Sequence, residues 1–342
     1  MINKKKILIT GAAGFIGFHL VKKITSMGFQ VVGIDNLNPN YDRKIKNDRV
    51  KFLTKMTKKK LFTFIKCNID KKNELMKLNK YKFAYIIHLA AQPGVRYSLL
   101  KPEIVFDSNI RGFFNILEIA KKNNVKHFMY ASSSSVYGGN SKLPFSEIDN
   151  VDSPLNLYAA SKKCNELLAF AFSHINKIRS TGLRFFSVYG PWGRPDMAYY
   201  LFSKRILQEK KIDVFNNGNH KRDFTYIDEV IQSIVKILKF NKFNKKKLHN
   251  VINIGRNKKI KLMQLIKYLE FYLEKKANIN FIKRQKADML ETYADIKMLK
   301  KIDPKFKDEP WKDRGFVAWN LWGGTQGVDW AIRKMKKIRG EE

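Results

Sequence analysis

The 342 residues carry a formal net charge of +37, and 44% of them are hydrophobic. That apolar fraction supports a buried core and excludes wholesale disorder, and the length favours two lobes over one. No apolar run is long enough to span a bilayer, and two cysteines, Cys67 and Cys164, exclude a disulfide framework and a cysteine-rich metal site.

In chain order, Met1 to Lys6 lacks the apolar stretch and cleavage site of a secretory leader, so a reducing, cytoplasmic location is expected. Lys6–Thr10 reads as a buried parallel strand through Ile7, Leu8 and Ile9. It runs into Gly11-Ala12-Ala13-Gly14-Phe15-Ile16-Gly17, then a helical pattern through Val21 and Ile24. Glycines between a strand and a helix permit a tight turn. They also bring the backbone close to a pyrophosphate on the helix N-terminus. The spacing is G-x-x-G-x-x-G, not the commoner dinucleotide form. A second strand, Gln30 to Ile34, ends in Asp35-Asn36. An acid at this distance from the glycines bonds the adenosine ribose hydroxyls, and its charge repels a 2′-phosphate, so NAD is expected over NADP.

Asn38 to Lys60 is polar and basic, a helix with loops. Its run Lys58–Lys60 and a second at Lys245–Lys247 read as exposed loops. The lysines are spread along the chain without a nucleic-acid motif. The charge therefore reads as composition that can also draw an anionic ligand, and no nucleic-acid partner is expected. Leu61 to Ile65 is a third strand, followed by Cys67-Asn68-Ile69-Asp70. Tyr85 to Leu89 is a fourth, running into Ala90-Ala91, small residues against which a cofactor can lie. Pro102 opens a helix through Leu117 and Ile119, and Val125 to Tyr130 is a fifth strand. The stretch Ala131-Ser132-Ser133-Ser134-Ser135-Val136-Tyr137-Gly138 follows.

Asn156 to His174 has helical periodicity and carries Tyr158 and Lys162. Residues four apart share a helix face. A phenol beside a fixed ammonium loses its proton more readily, which makes Tyr158 a candidate base for an alcohol. A sixth strand surrounds Leu183 to Phe186. Beyond the loop Pro191–Met197, helical patterns are broken by Asn216-Asn217-Gly218 and by Arg222-Asp223-Phe224-Thr225-Tyr226-Ile227-Asp228. Val251 to Ile254 is a last strand and Ile260 to Leu273 a helix. Strand–helix alternation implies an α/β fold, a Rossmann-type doubly wound parallel sheet, whose ligands lie beyond the carboxyl ends of the strands. The glycine loop, Asp35, Ala90, the serine run and Ser187 all fall at such ends. The expected division is a NAD-binding part over 1–187 with part of 225–255, and a smaller α/β substrate lobe over 188–224 and 256–342.

Taken together, these motifs resemble the extended short-chain dehydrogenase/reductases that act on nucleotide sugars, and within them the UDP-glucuronate 4-epimerases. The specific stretches are Pro93-Gly94-Val95-Arg96-Tyr97-Ser98, Ala131 to Gly138, and Thr181 to Met197 reading TGLRFFSVYGPWGRPDM. Arg222 to Asp228 and Thr292 to Ile296 add to the likeness, which runs from Lys6 to Leu299. The resemblance implies that Gly11, Gly14, Phe15, Ile16, Gly17, Asp35, Asn36, Asn68, Ile69, Leu89, Ala90 and Ala91 hold NAD. It implies Tyr158 as the base, Lys162 on the nicotinamide ribose, and Ser133, with Ser134 or Ser135, on the sugar 4-oxygen. Asn109 and Arg96 fall near the substrate, and Ser187 stands where threonine is usual. Arg194 matches an arginine near the sugar carboxylate, and Arg222 and Asp288 match positions around UDP. No metal is expected, and a homodimer through helices near Ile104–Ala120 and Asn156–His174 is implied.

Three stretches depart from the pattern. Asn68 replaces an aspartate that meets adenine, Lys286-Ala287 replaces a Pro-Gly, and most of a tail with Trp311, Trp319, Trp322 and Trp330 does not match the pattern. Related dehydratases carry adjacent Asp and Glu after the first Ser or Thr of the serine run, and related decarboxylases carry a Glu nearby. Ser134 and Ser135 offer only hydroxyls, so epimerisation is expected. The rivals are an epimerase for another nucleotide sugar, such as UDP-glucose or UDP-N-acetylglucosamine, and a non-catalytic NAD-binding protein.

Overall fold

The computed structural model describes residues 6–58, 60–240, 247–283 and 289–306. Strands β1 (Lys6–Thr10), β2 (Gln30–Asp35), β3 (Phe62–Lys66), β4 (Phe83–His88), β5 (His127–Ser133) and β6 (Ser180–Phe185) come first in the chain. The later strands are β7 (Ser187–Tyr189), β8 (Ile212–Phe215), β9 (Lys221–Tyr226), β10 (His249–Ile254), β11 (Lys259–Lys261) and β12 (Ile279–Ile282). Seven of them form one parallel sheet in the order β10-β6-β5-β4-β1-β2-β3. The order reverses between β1 and β4, which opens a crevice at the carboxyl ends of those two strands.

Alternation along the strands feeds two cores. On β1, Ile7 and Ile9 join Ile87 and Met129 on one face, whereas Leu8 joins Ile86 and Phe128 on the other. The first face is covered by α1 (Phe15–Ser26) and α9 (Ile227–Lys239), which pack together. The helices between them in sequence are α2 (Arg43–Met56), α3 (Lys72–Leu75), α4 (Val95–Leu100), α5 (Pro102–Phe106), α6 (Gly112–Asn123), α7 (Leu157–Asn176) and α8 (Ala198–Leu207). Helices α10 (Leu262–Leu273) and α11 (Lys297–Ile302) follow. The second face is covered by α6 through Phe113, Ile116 and Leu117, and by α7 through Ala169 and Phe172.

Two small sheets stand apart from the large one. One has the order β11-β9-β7 and the other pairs β12 with β8. They correct the helical reading after residue 198, because β8 and β9 interrupt it. The helix expected from Ile260 begins at Leu262, since Lys259–Lys261 pairs with β9 instead. The single helix expected from Pro102 is broken by a wider π-type turn over Asp107–Arg111. Among the described residues, no helix is long and apolar enough to cross a membrane.

Candidate active site

The glycine loop leaves β1 and starts α1. Gly11 has φ +70, and a Cβ there would meet the Ala90 backbone nitrogen at 2.8 Å. A Cβ on Gly17 would fall on the Gly11 carbonyl oxygen. Side chains at these two positions would therefore push apart the β1 turn, the start of α1 and the strand end at Ala90. Thr10 fixes that strand end: its Oγ1 lies 2.8 Å from Nδ1 of buried His88 and accepts from Ala90 N at 3.0 Å. At the end of β2 the Asp35 carboxylate accepts from Ala13 N at 3.2 Å and Leu37 N at 2.8 Å. This backbone cradle, with an acid beside it, fits a dinucleotide pyrophosphate and its ribose. The cleft has a volume of about 950 Å³ and runs on from the cradle past the serine run to Phe215 and Arg222.

The candidate reacting groups converge where β5 and α7 meet. Ser133 ends β5, and its Oγ accepts from Ser135 N at 3.1 Å. Asn156 caps α7 by accepting from Ala159 N at 2.9 Å, which sets Tyr158 in the first turn. The Tyr158 and Ser133 side chains are hydrogen-bonded. Burial raises the Tyr158 phenol above its ordinary value, while the Ser133 bond and the charge of Arg194 pull it down. Burial lowers the Lys162 ammonium to about 8, and its Nζ donates to Ala131 O at 2.9 Å. The spacing of the two residues makes Lys162 the expected cation for the phenol. In the structure Lys162 donates to the β5 backbone while lining the cleft with Tyr158, and the charge of Arg194 also lowers the phenol.

Arg194 sits on the loop after β7. Its Nε donates to Asp196 Oδ1 at 3.0 Å and its Nη2 to Asp196 Oδ2 at 2.5 Å. Burial opposes the charge, but this two-point contact holds the guanidinium firmly protonated. Arg49 anchors the loop from below. This fully buried side chain donates to the carbonyls of Trp192 at 2.5 Å and Gly193 at 3.2 Å, and also to Ala13 O at 2.9 Å. One side chain thus ties the glycine loop to the Arg194 loop.

Most of the sequence-expected residues line this one cleft: Gly11, Gly14, Phe15, Ile16, Gly17, Asp35, Asn36, Asn68, Ile69, Leu89, Ala90 and Ala91 toward the cradle, and Arg96, Ser133, Ser134, Ser135, Tyr158, Lys162, Ser187, Arg194 and Arg222 beyond it. Asn68 Oδ1 accepts from Asn36 Nδ2 at 3.2 Å. Arg96 stacks over the Phe215 ring, 4.3 Å from its centroid. Arg222 Nη2 donates to Met289 O at 2.7 Å. Asn109 is expected near the substrate. It is buried, and its side chain exchanges hydrogen bonds with the Gln92 backbone, at 2.7 and 3.1 Å, and donates to Ser161 Oγ at 3.0 Å. The π-type turn rotates it inward, so it clamps the loop after β4 to α7 and does not line the cleft. Asp288, Lys286-Ala287 and the tail tryptophans lie outside the described residues.

Several groups escape sequence reasoning. Lys46 lines the cleft with its Nζ 3.9 Å from Asp35 Oδ1, and burial lowers its pKa while Asp35 opposes the shift. Glu166, one turn beyond Lys162, accepts from Ser132 Oγ at 2.6 Å and from Arg184 Nη2 at 2.8 Å, which fixes the residue next to Ser133. The i, i+4 spacing from Lys162 is visible in the sequence, but its partner on β6 is not.

Residues 7–255 match the model of the NAD dependent epimerase/dehydratase family. The chain is similar to protein CapI of Staphylococcus aureus, at 42% identity over 97% of this chain and 100% of that one. It is similar to a probable UDP-glucuronate 4-epimerase of Rhizobium meliloti, at 38% identity over 92% of this chain and 96% of the other. Among solved structures, UDP-glucuronic acid 4-epimerase of Bacillus cereus in complex with UDP-glucuronic acid and NAD superposes with a TM-score of 0.79 at 30% identity. That likeness covers 97% of this chain and 99% of the other. The family match takes in the glycine loop, the serine run, Tyr158, Lys162 and Arg194, and the chain belongs to the NAD dependent epimerase/dehydratase family.

Proposed function

We propose that the protein interconverts UDP-glucuronate and UDP-galacturonate by inverting C4 of the sugar through a transient 4-keto intermediate. The observation that carries this reading is the convergence of Tyr158, Ser133 and Arg194 at the mouth of a dinucleotide cradle. Relatives that share the family and the fold are named for this reaction, and the solved relative from Bacillus cereus holds both UDP-glucuronic acid and NAD. NAD is the cofactor, and when bound it takes the hydrogen from C4 with its electron pair and gives it back.

The protein's own residues do the rest. Tyr158 removes the proton from the 4-hydroxyl and later returns it, with Ser133 holding the same oxygen through its hydroxyl. Ser134 and Ser135 border the sugar without supplying a carboxylate, so neither assists loss of water. A 4-keto uronate is a β-keto acid, prone to lose its carboxylate when the breaking bond overlaps the carbonyl π system. Arg194 holds that carboxylate in a plane through its fork. Residues 1–187 with part of 225–255 carry the cofactor, and 188–224 with the chain from 256 carries the nucleotide sugar. Ile104, Phe106, Phe114, Leu167 and Phe170 leave an exposed apolar face on α5, α6 and α7, which we assign to a homodimer contact.

Incubating the purified protein with UDP-glucuronate and reading the sugar by NMR tests the reading. UDP-galacturonate should accumulate to a fixed ratio from either side. A protein that leaves UDP-glucuronate unchanged but epimerises UDP-glucose would overturn the substrate assignment.

A further inference from the structure

Arg194 is fixed in two separate ways. Its backbone is anchored on several sides. His19 Nε2 lies 2.8 Å from Pro191 O, Arg49 holds the carbonyls of Trp192 and Gly193, and the Arg194 backbone is hydrogen-bonded to the Tyr199 hydroxyl. Those contacts leave the long side chain free to rotate. Asp196, two residues on, removes that freedom by taking Nε and Nη2, one complete edge of the guanidinium. Among the described residues, no protein group takes Nη1. The second edge of the fork, Nη1 with the remaining hydrogen of Nη2, is therefore available to a planar anion, and Arg194 lines the same cleft as Tyr158.

We propose that Asp196 is a positioning residue for the sugar carboxylate: by gripping one edge of Arg194 it sets the guanidinium plane and presents the other edge to the uronate. This rests on the uronate reading above. Without Asp196 the cation remains and still attracts the substrate, but its plane is no longer set. The carboxylate can then swing until its bond to C5 overlaps the C4 carbonyl. The electron pair of that bond moves into the C4–C5 enolate as carbon dioxide leaves. A proton from water completes a 4-keto pentose, and the cofactor stays reduced.

The experiment compares the full-length wild type, Asp196→Ala, Asp196→Glu and Arg194→Ala, each with NAD and UDP-glucuronate. For Asp196→Ala, the KM for UDP-glucuronate should rise roughly tenfold and the share of turnovers ending in decarboxylation severalfold, read as carbon dioxide and reduced nicotinamide absorbance. Inhibition by UDP and retention of NAD should stay at wild-type values, and Asp196→Glu should restore part of the KM. Wild-type KM and product ratio in Asp196→Ala, with Arg194→Ala impaired, would overturn this inference and leave the uronate reading standing. A loss of UDP affinity and NAD retention in step with the KM would also overturn it, since that is a folding defect. A wild type inert toward UDP-glucuronate would overturn the uronate reading and this inference together.

Discussion

Tyr158→Phe keeps the ring and its packing but removes the oxygen hydrogen-bonded to Ser133, and with it the group proposed to take the sugar proton. Turnover of UDP-glucuronate should fall by about 10²–10⁴-fold with little change in affinity, as measured by initial rates and competition with UDP. The sequence shows Tyr158 and Lys162 as a pair on one helix face but not their division of labour. Periodicity reports which residues share a face, whereas the direction of an ammonium depends on what lies across it. Here that includes the Ala131 carbonyl on β5, which takes one of the three donors of Lys162. The charge of Arg194 also bears on the phenol, from a downstream loop that no spacing rule reaches. Asn109, placed near the substrate by resemblance alone, lies on a π-type turn and bonds the Gln92 backbone and Ser161.

At the scale of elements, the helices α5, α6 and α7 each turn large apolar side chains to solvent. If these faces meet in a second copy, a charge placed there must be desolvated without a partner. Leu167→Asp, at a side chain exposed at 58% in the single chain, should convert a dimer to a monomer in analytical ultracentrifugation while NAD binding persists. Unchanged mass would contradict the assigned contact. The large sheet is readable from sequence and the small ones are not. Parallel strands buried on both faces form near-continuous apolar runs, and β1, β2 and β4 are buried along most of their length. Strands β7 and β11 have three residues each, and β8 pairs with β12 far along the chain, so local pattern does not announce them.

For the whole molecule, the charge of +37 dominates the composition, yet stability against mild acid depends on buried neutral rings. Burial lowers His88 and His127 to about 3 from an ordinary 6.5, and each ring hydrogen-bonds a threonine, His88 at Thr10 and His127 at Thr181. Below pH 6.5 the unfolded chain takes up protons at both rings while the folded chain does not. Their contribution is thus complete above 6.5 and is lost as pH falls toward 3, at about 1.4 kcal/mol per pH unit for each ring. The urea midpoint should drop between pH 6.5 and 5, where most carboxylates are still ionised. A midpoint that stays level over that interval would contradict the placement of these rings. His88 lies under the cradle through Thr10 and Ala90, and it stays neutral while the chain is folded, so NAD retention by the folded protein should hold across the same interval.

On the proposed mechanism, C4 is oxidised and then reduced on its other face within one binding event, with Tyr158 moving the proton. UDP-glucuronate carrying deuterium at C4 tests this most directly. After conversion in ordinary water, NMR of the UDP-galacturonate should show the deuterium still on C4. Its replacement by hydrogen from solvent, or inversion with the label unmoved in a protein stripped of NAD, would contradict the account.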